Sequence, residues 1–567
     1  MALRRSLQAV HGAALRAATR TASARAAATS ARCCRCYSAE PIGAPDVEPT
    51  YAPPSFGRID TADEYVKSLE GRDLEIYLFG ERVADVAAEP VLRPSVNAVA
   101  ETYRLAESEP ELATAHSELI DARVNRFAHI CTSAKDVAAQ NEMQRRLGQR
   151  TGTCFQRCVG QDALNASWAT TFRTDAAHGT PYHARLRRFV EHVQRHNLVV
   201  GGAMTDPKGD RSKPPHAQDD PDLFVRVVDR RDGGVVLRGA KVHQTGTLNS
   251  HWMVVMPGQR LEAADAEYAI SAAVPVDAPG LTYVLGRQSC DSRSREPSGV
   301  DVGNSKYGGQ EVTILFDDVW VPEHQIFLDG EHEFAADLVE RFTAFHRRSY
   351  VCKAGVGDVL IGAAAEMAAM NGVAKASHIR DKLVEMNHLN ETIYGLGVAA
   401  SLKSEPTEAG NWQPDVLLAN VCKQTVTRHP YEIARLAQDL AGGAVVTTPS
   451  DADFQHPTVG PLLKKYLAAA PGVDADDRRR LLRLVENMTM GPRPRARGVL
   501  ASRPRRASFV RPRRGRGVAA TTRLPRNVRD SSSPRKIRAT GGYGASLDPS
   551  RVVDSRGTST SRPRRRR

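Results

Sequence analysis

An α+β fold with segregated layers is predicted from the order of three patterns. Helical apolar spacing runs to about residue 200, short β-rich runs follow to about residue 323, and long helical periodicity returns from about residue 332. That order opposes a doubly wound sheet, in which strands and helices alternate. A chain of 567 residues has room for two or three cores. The expected divisions are a leading segment and linker over 1–45, a helical domain over 46–200, a β domain over 201–325, a helical domain over 326–491 and a basic tail over 492–567.

The leading segment has no acid before Glu40, and its Arg residues are spaced by Ala and Ser. This composition predicts a mitochondrial presequence and a matrix location; the uninterrupted apolar stretch of a secretory signal is missing. The run TADEYVKSLEGRDLEIYLFGERV opens the first helical region, and LAESEPELATAHSELI and VEHVQRHNLVV continue its periodicity. FQRCVGQDALNASWATTF lacks Pro, and as a helix it would carry Cys154 and Cys158 on one face. LFVRVVDRRDGGVVLRGAKV reads as a hairpin around Asp-Gly-Gly. HWMVVMPG, YAISAAVPV, LTYVLG and EVTILFDDVWVP supply further strands. Long amphipathic runs then extend from VGDVLIGAAAEMAAM to RRLLRLVENMTMG. Beyond Gly491 the Arg/Pro-rich sequence holds too little apolar surface to offset its ordering entropy, so disorder is expected there.

Charge follows the same divisions. Of the chain's +13, the first 46 residues carry +5 and residues 492–567 carry +20, which leaves −12 on the 445 residues between. The basic ends do not indicate nucleic acid, because the tail has no regular aromatic interleaving and no recognised binding motif. No stretch reaches the roughly 18 apolar residues that span a bilayer, so no membrane insertion is expected. The body cysteines, Cys131, Cys154, Cys158, Cys290, Cys352 and Cys422, are too few in a body of this size to form a disulfide framework.

Four stretches carry chemistry. Cys154 and Cys158 form a C-x3-C pair with Gln156 and Arg157 between them. Two such cysteines pack as small hydrophobes about as often as they bind metal. FHRRSYVCKAG places His346, Tyr350, Cys352 and Lys353 within eight residues, and a helical backbone would turn His346 and Tyr350 the same way. Thiolates with one imidazole suit zinc or an iron–sulfur cluster equally. AKVHQTGTLNSHW crowds His243, Gln244, Thr245 and Asn249 between β runs, as a loop holding a polar heterocycle would; a loop satisfying its own backbone has the same composition. KYGGQE sets Glu311 at a strand start, where a partly buried carboxylate needs a partner or a chemical task. Neither a Rossmann fingerprint nor a P-loop is present.

Taken in order, GTCFQRCVGQDALNA, HQTGTLNSHW, KYGGQE, FHRRSYVCK and HPYEIARLAQDLAGG with ENMTMG resemble the 4-hydroxybutyryl-CoA dehydratase/vinylacetyl-CoA Δ-isomerase family over roughly residues 50–491. This family is related to the flavin-dependent 4-hydroxyphenylacetate hydroxylases. The resemblance implies an acyl-CoA dehydrogenase-like fold, an acyl-CoA substrate, non-covalent FAD and a homotetramer. It also implies a [4Fe–4S] cluster, in place of zinc, on Cys154, Cys158, His346 and Cys352. Glu311, His346, Tyr350 and Lys353 would then be catalytic, with Gln156, His243, Gln244 and Thr245 on the flavin side. Two departures are visible. One residue, Val351, separates Tyr350 from Cys352 where the family has two, which on a continuous helix turns Cys352 by about 100°. The basic tail stands where the family carries a further acid. A cluster-free flavin monooxygenase or dehydrogenase and a catalytically inactive scaffold stay open as other readings.

Overall fold

The computed structural model describes residues 51–286, 300 and 306–490. The expected presequence and the basic tail lie outside the described residues, as does Cys290.

The helical, β, helical order expected for an α+β, acyl-CoA dehydrogenase-like chain is present. The first layer holds α1 (Ala62–Lys67), α2 (Arg93–Ser108), α3 (Ala134–Thr151), α4 (Cys158–His178) and α5 (Tyr182–His196). Helix α3 begins where the Ser133 hydroxyl accepts from the Asp136 amide, and it ends at Gly152 in the left-handed region. The sequence reading differs from the structure at two places in this layer. EIYL was read into the helical region but is a strand, β1 (Glu75–Leu78), whose alternating burial suits one covered face. Cys154 and Cys158 do not share a helix, because Gly152 stops α3 and only Cys158 enters α4.

The short β2 (Glu81–Arg82) and β3 (Val200–Ala203) are followed by β4 (Arg226–Arg231), β5 (Gly234–Thr245), β6 (Trp252–Val255), β7 (Ile270–Pro275), β8 (Leu281–Leu285), β9 (Glu311–Pro322) and β10 (Ile326–Asp329). They make a six-stranded sheet ordered β2-β1-β8-β9-β5-β4 and a four-stranded sheet ordered β10-β7-β6-β3. The predicted Asp-Gly-Gly hairpin joins β4 to β5, with Asp232 and Gly233 both at positive φ. Antiparallel pairing of β9 with β5 sets Glu311 opposite Thr245 and Val312 opposite Gln244. The register slips between Val312 and Ile314, and His243 occupies the resulting bulge with φ 58°.

The second helical layer comprises α6 (Glu333–Arg348), α7 (Cys352–Met370), α8 (Ser377–Leu402), α9 (Val416–Val426), α10 (His429–Ala441) and α11 (Ala475–Thr489). One apolar core joins the sheets to the N-terminal helices, and a second lies among α7, α8, α10 and α11. Helix α4 packs on α6, and α3 packs on α7. The α3–α7 approach is close enough that a Cβ on Gly355 would stand 2.1 Å from the Arg145 carbonyl oxygen, and one on Gly148 2.4 Å from that of Cys352. Backbone atoms cannot move aside as side-chain ends can. Gly355→Ala is therefore expected to push α3 off α7 and destabilise the chain by about 1–3 kcal/mol in urea unfolding; an unchanged midpoint would contradict that close contact.

Candidate active site

The site is built from two helix starts, one helix end and one strand start. After Gly152 the chain turns through Cys154 and Gln156, the latter at φ 66°, and Cys158 then begins α4. On the opposite side His346 lies in the last turn of α6, a single 3₁₀ turn covers Ser349–Val351, and Cys352 begins α7. The 3₁₀ turn falls within the shortened Tyr350–Cys352 spacing, so the segment is not one continuous α-helix. Cys158 and Cys352 share a small core with Phe127, Met143, Leu147 and Phe155.

The three thiols are buried near one another, and Cys352 acts on the other two. Burial pushes the Cys154 thiol up to about 11, with the Lys353 cation opposing and Cys352 adding to the rise. Burial, then Cys352, Asp162 and Cys154, raises Cys158 well above the ordinary thiol range. Cys352 is raised chiefly by burial as well, against the pull of Lys353. Without a cation among them the thiols are held protonated, and a bound metal would displace those protons. Among the described residues no three His, Cys, Asp or Glu side chains close on a point that could hold one ion. A cubane gives each donor its own iron, so its donors stand further apart than those of a single ion; this set fits such a cluster in the kind of its donors.

His346 is oriented by a residue that sequence reasoning missed. Its Nδ1 lies 2.9 Å from Oδ2 of Asp162, a fully buried carboxylate on α4. This contact leaves Nε2 to face a metal or a proton. The Ser349 hydroxyl donates to the same oxygen at 3.3 Å, and the buried Arg348 guanidinium stands 3.9 Å from the other. Asp162 follows Cys158 by four residues, so the i,i+4 spacing of a buried acid behind a candidate ligand was the available signal. The rings of His346 and Tyr350 lie edge to face at 5.1 Å, as their spacing predicts. Burial pushes the Tyr350 phenol up, and the Lys353 ammonium lies 5.1 Å from its ring centroid.

The strand side meets this cluster. The Thr245 hydroxyl donates to Glu311 at 2.7 Å, and His243 Nδ1 is 4.0 Å from the same carboxylate oxygen. Partial desolvation and the cations of Lys208 and Lys423 hold the His243 imidazole below its usual range. Glu311 is near enough to Cys154 to add to that thiol's rise, so the C-x3-C and GGQE stretches converge. Gln156 is buried and engaged at both ends: its amide donates to the Gly308 and Ser95 carbonyls, and its oxygen accepts from Asn249. It clamps the cysteine loop to the β5–β6 turn, where a Cβ on Gly246 would strike it at 2.6 Å. The Gln244 amide donates to the Thr205 and Val242 carbonyls and so ties β5 to the segment after β3. Both ends of the fully buried Gln310 amide lack a protein partner among the described residues, a polar capacity beside Glu311 that a bound group would use.

Comparison with known proteins identifies the family. Residues 61–328 match the family described as 4-hydroxyphenylacetate 3-hydroxylase N terminal, and residues 335–495 match its C-terminal counterpart. A 4-hydroxybutyryl-CoA dehydratase/vinylacetyl-CoA-Δ-isomerase of Clostridium aminobutyricum is 50% identical over 443 residues, 76% of this chain and 90% of that protein. The solved oxygen-tolerant archaeal 4-hydroxybutyryl-CoA dehydratase from N. maritimus is 58% identical with a TM-score of 0.77, covering 78% of this chain and 88% of that one. A 4-hydroxyphenylacetate 3-monooxygenase oxygenase component solved with FAD and 4-hydroxyphenylacetate shares the fold at 24% identity and a TM-score of 0.69, over 78% and 91% of the two chains.

Asp162→Asn removes the charge that balances Arg348 and orients His346. Urea unfolding is expected to show a loss of about 3 kcal/mol; a change under about 1 kcal/mol would show that Asp162 does not hold the two helices together.

Proposed function

The chain belongs to the 4-hydroxyphenylacetate 3-hydroxylase family, and from that premise we propose that it dehydrates 4-hydroxybutyryl-CoA to crotonyl-CoA and isomerises vinylacetyl-CoA, using FAD and a [4Fe–4S] cluster. The observation that carries this reading is that Cys158 and Cys352, each opening a helix, share one small core beside the Cys154 loop and the His346–Asp162 contact. Cys154, Cys158, His346 and Cys352 would hold the cluster, and Thr245, His243 and the Gln156-clamped loop would border the flavin. When bound, the flavin supplies reversible one-electron chemistry and the cluster a Lewis acid for the departing hydroxyl.

The chain's own groups handle protons and charge. The substrate's α-hydrogen is acidified by the thioester, whereas its β-hydrogen is not. His346, with Nδ1 held by Asp162, would turn Nε2 to the cluster, and the Glu311 carboxylate, which accepts from the Thr245 hydroxyl, would take the α-proton. Lys353 and Tyr350 face the negative charge that develops on the thioester oxygen. No helix of the described residues is long and apolar enough to cross a membrane. A homotetramer in the mitochondrial matrix completes the proposal, supported by the family resemblance and by the Arg-rich, acid-poor leading residues.

Anaerobic incubation of the reconstituted protein with 4-hydroxybutyryl-CoA is expected to yield crotonyl-CoA. Cys158→Ala should fall below about 1% of the wild-type rate, the scale of losing a principal transition-state contact, while Cys131→Ala stays near wild type. Failure of the wild-type protein to form crotonyl-CoA, with flavin-dependent hydroxylation of a phenol in its place, would overturn the proposal.

A further inference from the structure

Helix α9 brings one more charged group to the site. Lys423 projects its ammonium to 4.1 Å from the Tyr350 ring centroid, closer than the 5.1 Å of Lys353. It also lies near enough to His243 to depress that imidazole, so it stands between the helical and the strand halves of the site. Among the described residues neither ammonium has a carboxylate partner. Arg347 adds a further cation at the same place, its guanidinium bonded to the uncharged Asn420 of α9. A partly buried cation without a counter-charge is costly to keep, and two beside one ring leave the place short of one anion. Desolvation, with Lys353 and Arg347 adding repulsion, brings the Lys423 ammonium down to about 7. An anion at this point would relieve that repulsion and favour the charged form.

We propose that Lys423 is a further catalytic residue, donating a hydrogen bond to the thioester oxygen of the acyl-CoA as it becomes an enolate. The assignment rests on the acyl-CoA reading above. In the step it serves, the α-C–H bond breaks, the proton goes to the Glu311 carboxylate, and the electron pair spreads onto the thioester oxygen between Lys353 and Lys423. The excess of positive charge is then the provision for that oxygen, preorganised before the substrate arrives.

Acetoacetyl-CoA, which ionises to an enolate with its own ultraviolet band, is the probe. The anaerobic holoenzyme should bind it as the enolate at a pH where the free compound is mostly neutral. Lys423→Gln is expected to weaken enolate binding at least about tenfold and to lower kcat for dehydration about a hundredfold. Flavin content, iron content and Tm should be unchanged, and Lys423→Arg should recover part of both losses. Enolate binding in Lys423→Gln equal to wild type would overturn the assignment and leave the acyl-CoA reading intact. A wild-type protein that binds no acyl-CoA would overturn both. Should Lys423→Gln melt early, the wild-type spectrum decides: acetoacetyl-CoA bound only in its neutral form removes the role given to Lys423.

Discussion

The carboxylate of Asp162 is buried where α4 crosses α6, and the site depends on it. Its two oxygens face the His346 imidazole and the Arg348 guanidinium, both from the last turn of α6. An acid in such a place is unfavourable unless paired, and the pairing fixes how the two helices meet. Cys158 begins the same helix that carries Asp162, and Cys352 follows Arg348 by one 3₁₀ turn. Asp162 thus links the helix that carries Cys158 to the turn that carries His346 and leads to Cys352. Arg348 extends the lock to α3 through the side chains of Gln140 and Asn141.

Around this lock the electrostatics are unbalanced on purpose of the chemistry. The thiols are raised by burial and by one another, a cost that a bound cation would convert into affinity. A few residues away, Lys353 and Lys423 crowd one phenol without an acid between them. One side therefore lacks a cation and the other an anion. A bound cluster would meet the first need and the enolate oxygen of an acyl-CoA the second, and solvent exclusion strengthens each contact.

Much of this was legible in the sequence. The segregated α+β order, the Asp-Gly-Gly hairpin and the His346–Tyr350 pairing all follow from periodicity and spacing. Cys154 was misread as helical because helix-forming residues surround it; the decisive residue is Gly152, whose left-handed backbone ends α3. The strand EIYL was absorbed into its helical neighbours because four residues give too little alternation to distinguish it, and its partner β8 lies some two hundred residues away. The register of Thr245 against Glu311 is a tertiary fact, for which each strand alone holds no mark. Asp162 had a readable i,i+4 signal. Lys423, on a separate helix behind the buried Cys422, had none, since what defines it is the ring of Tyr350 across the helix interface.

We propose that Cys154, Cys158, His346 and Cys352 together hold one iron–sulfur cluster. Iron and acid-labile sulfide, counted per chain after anaerobic reconstitution and read together with the ⁵⁷Fe Mössbauer spectrum, are the test. About four of each per chain, with one iron site distinct from the other three as a nitrogen ligand requires, is the predicted result. Fewer than about two irons per chain, or zinc bound in their place, would contradict it.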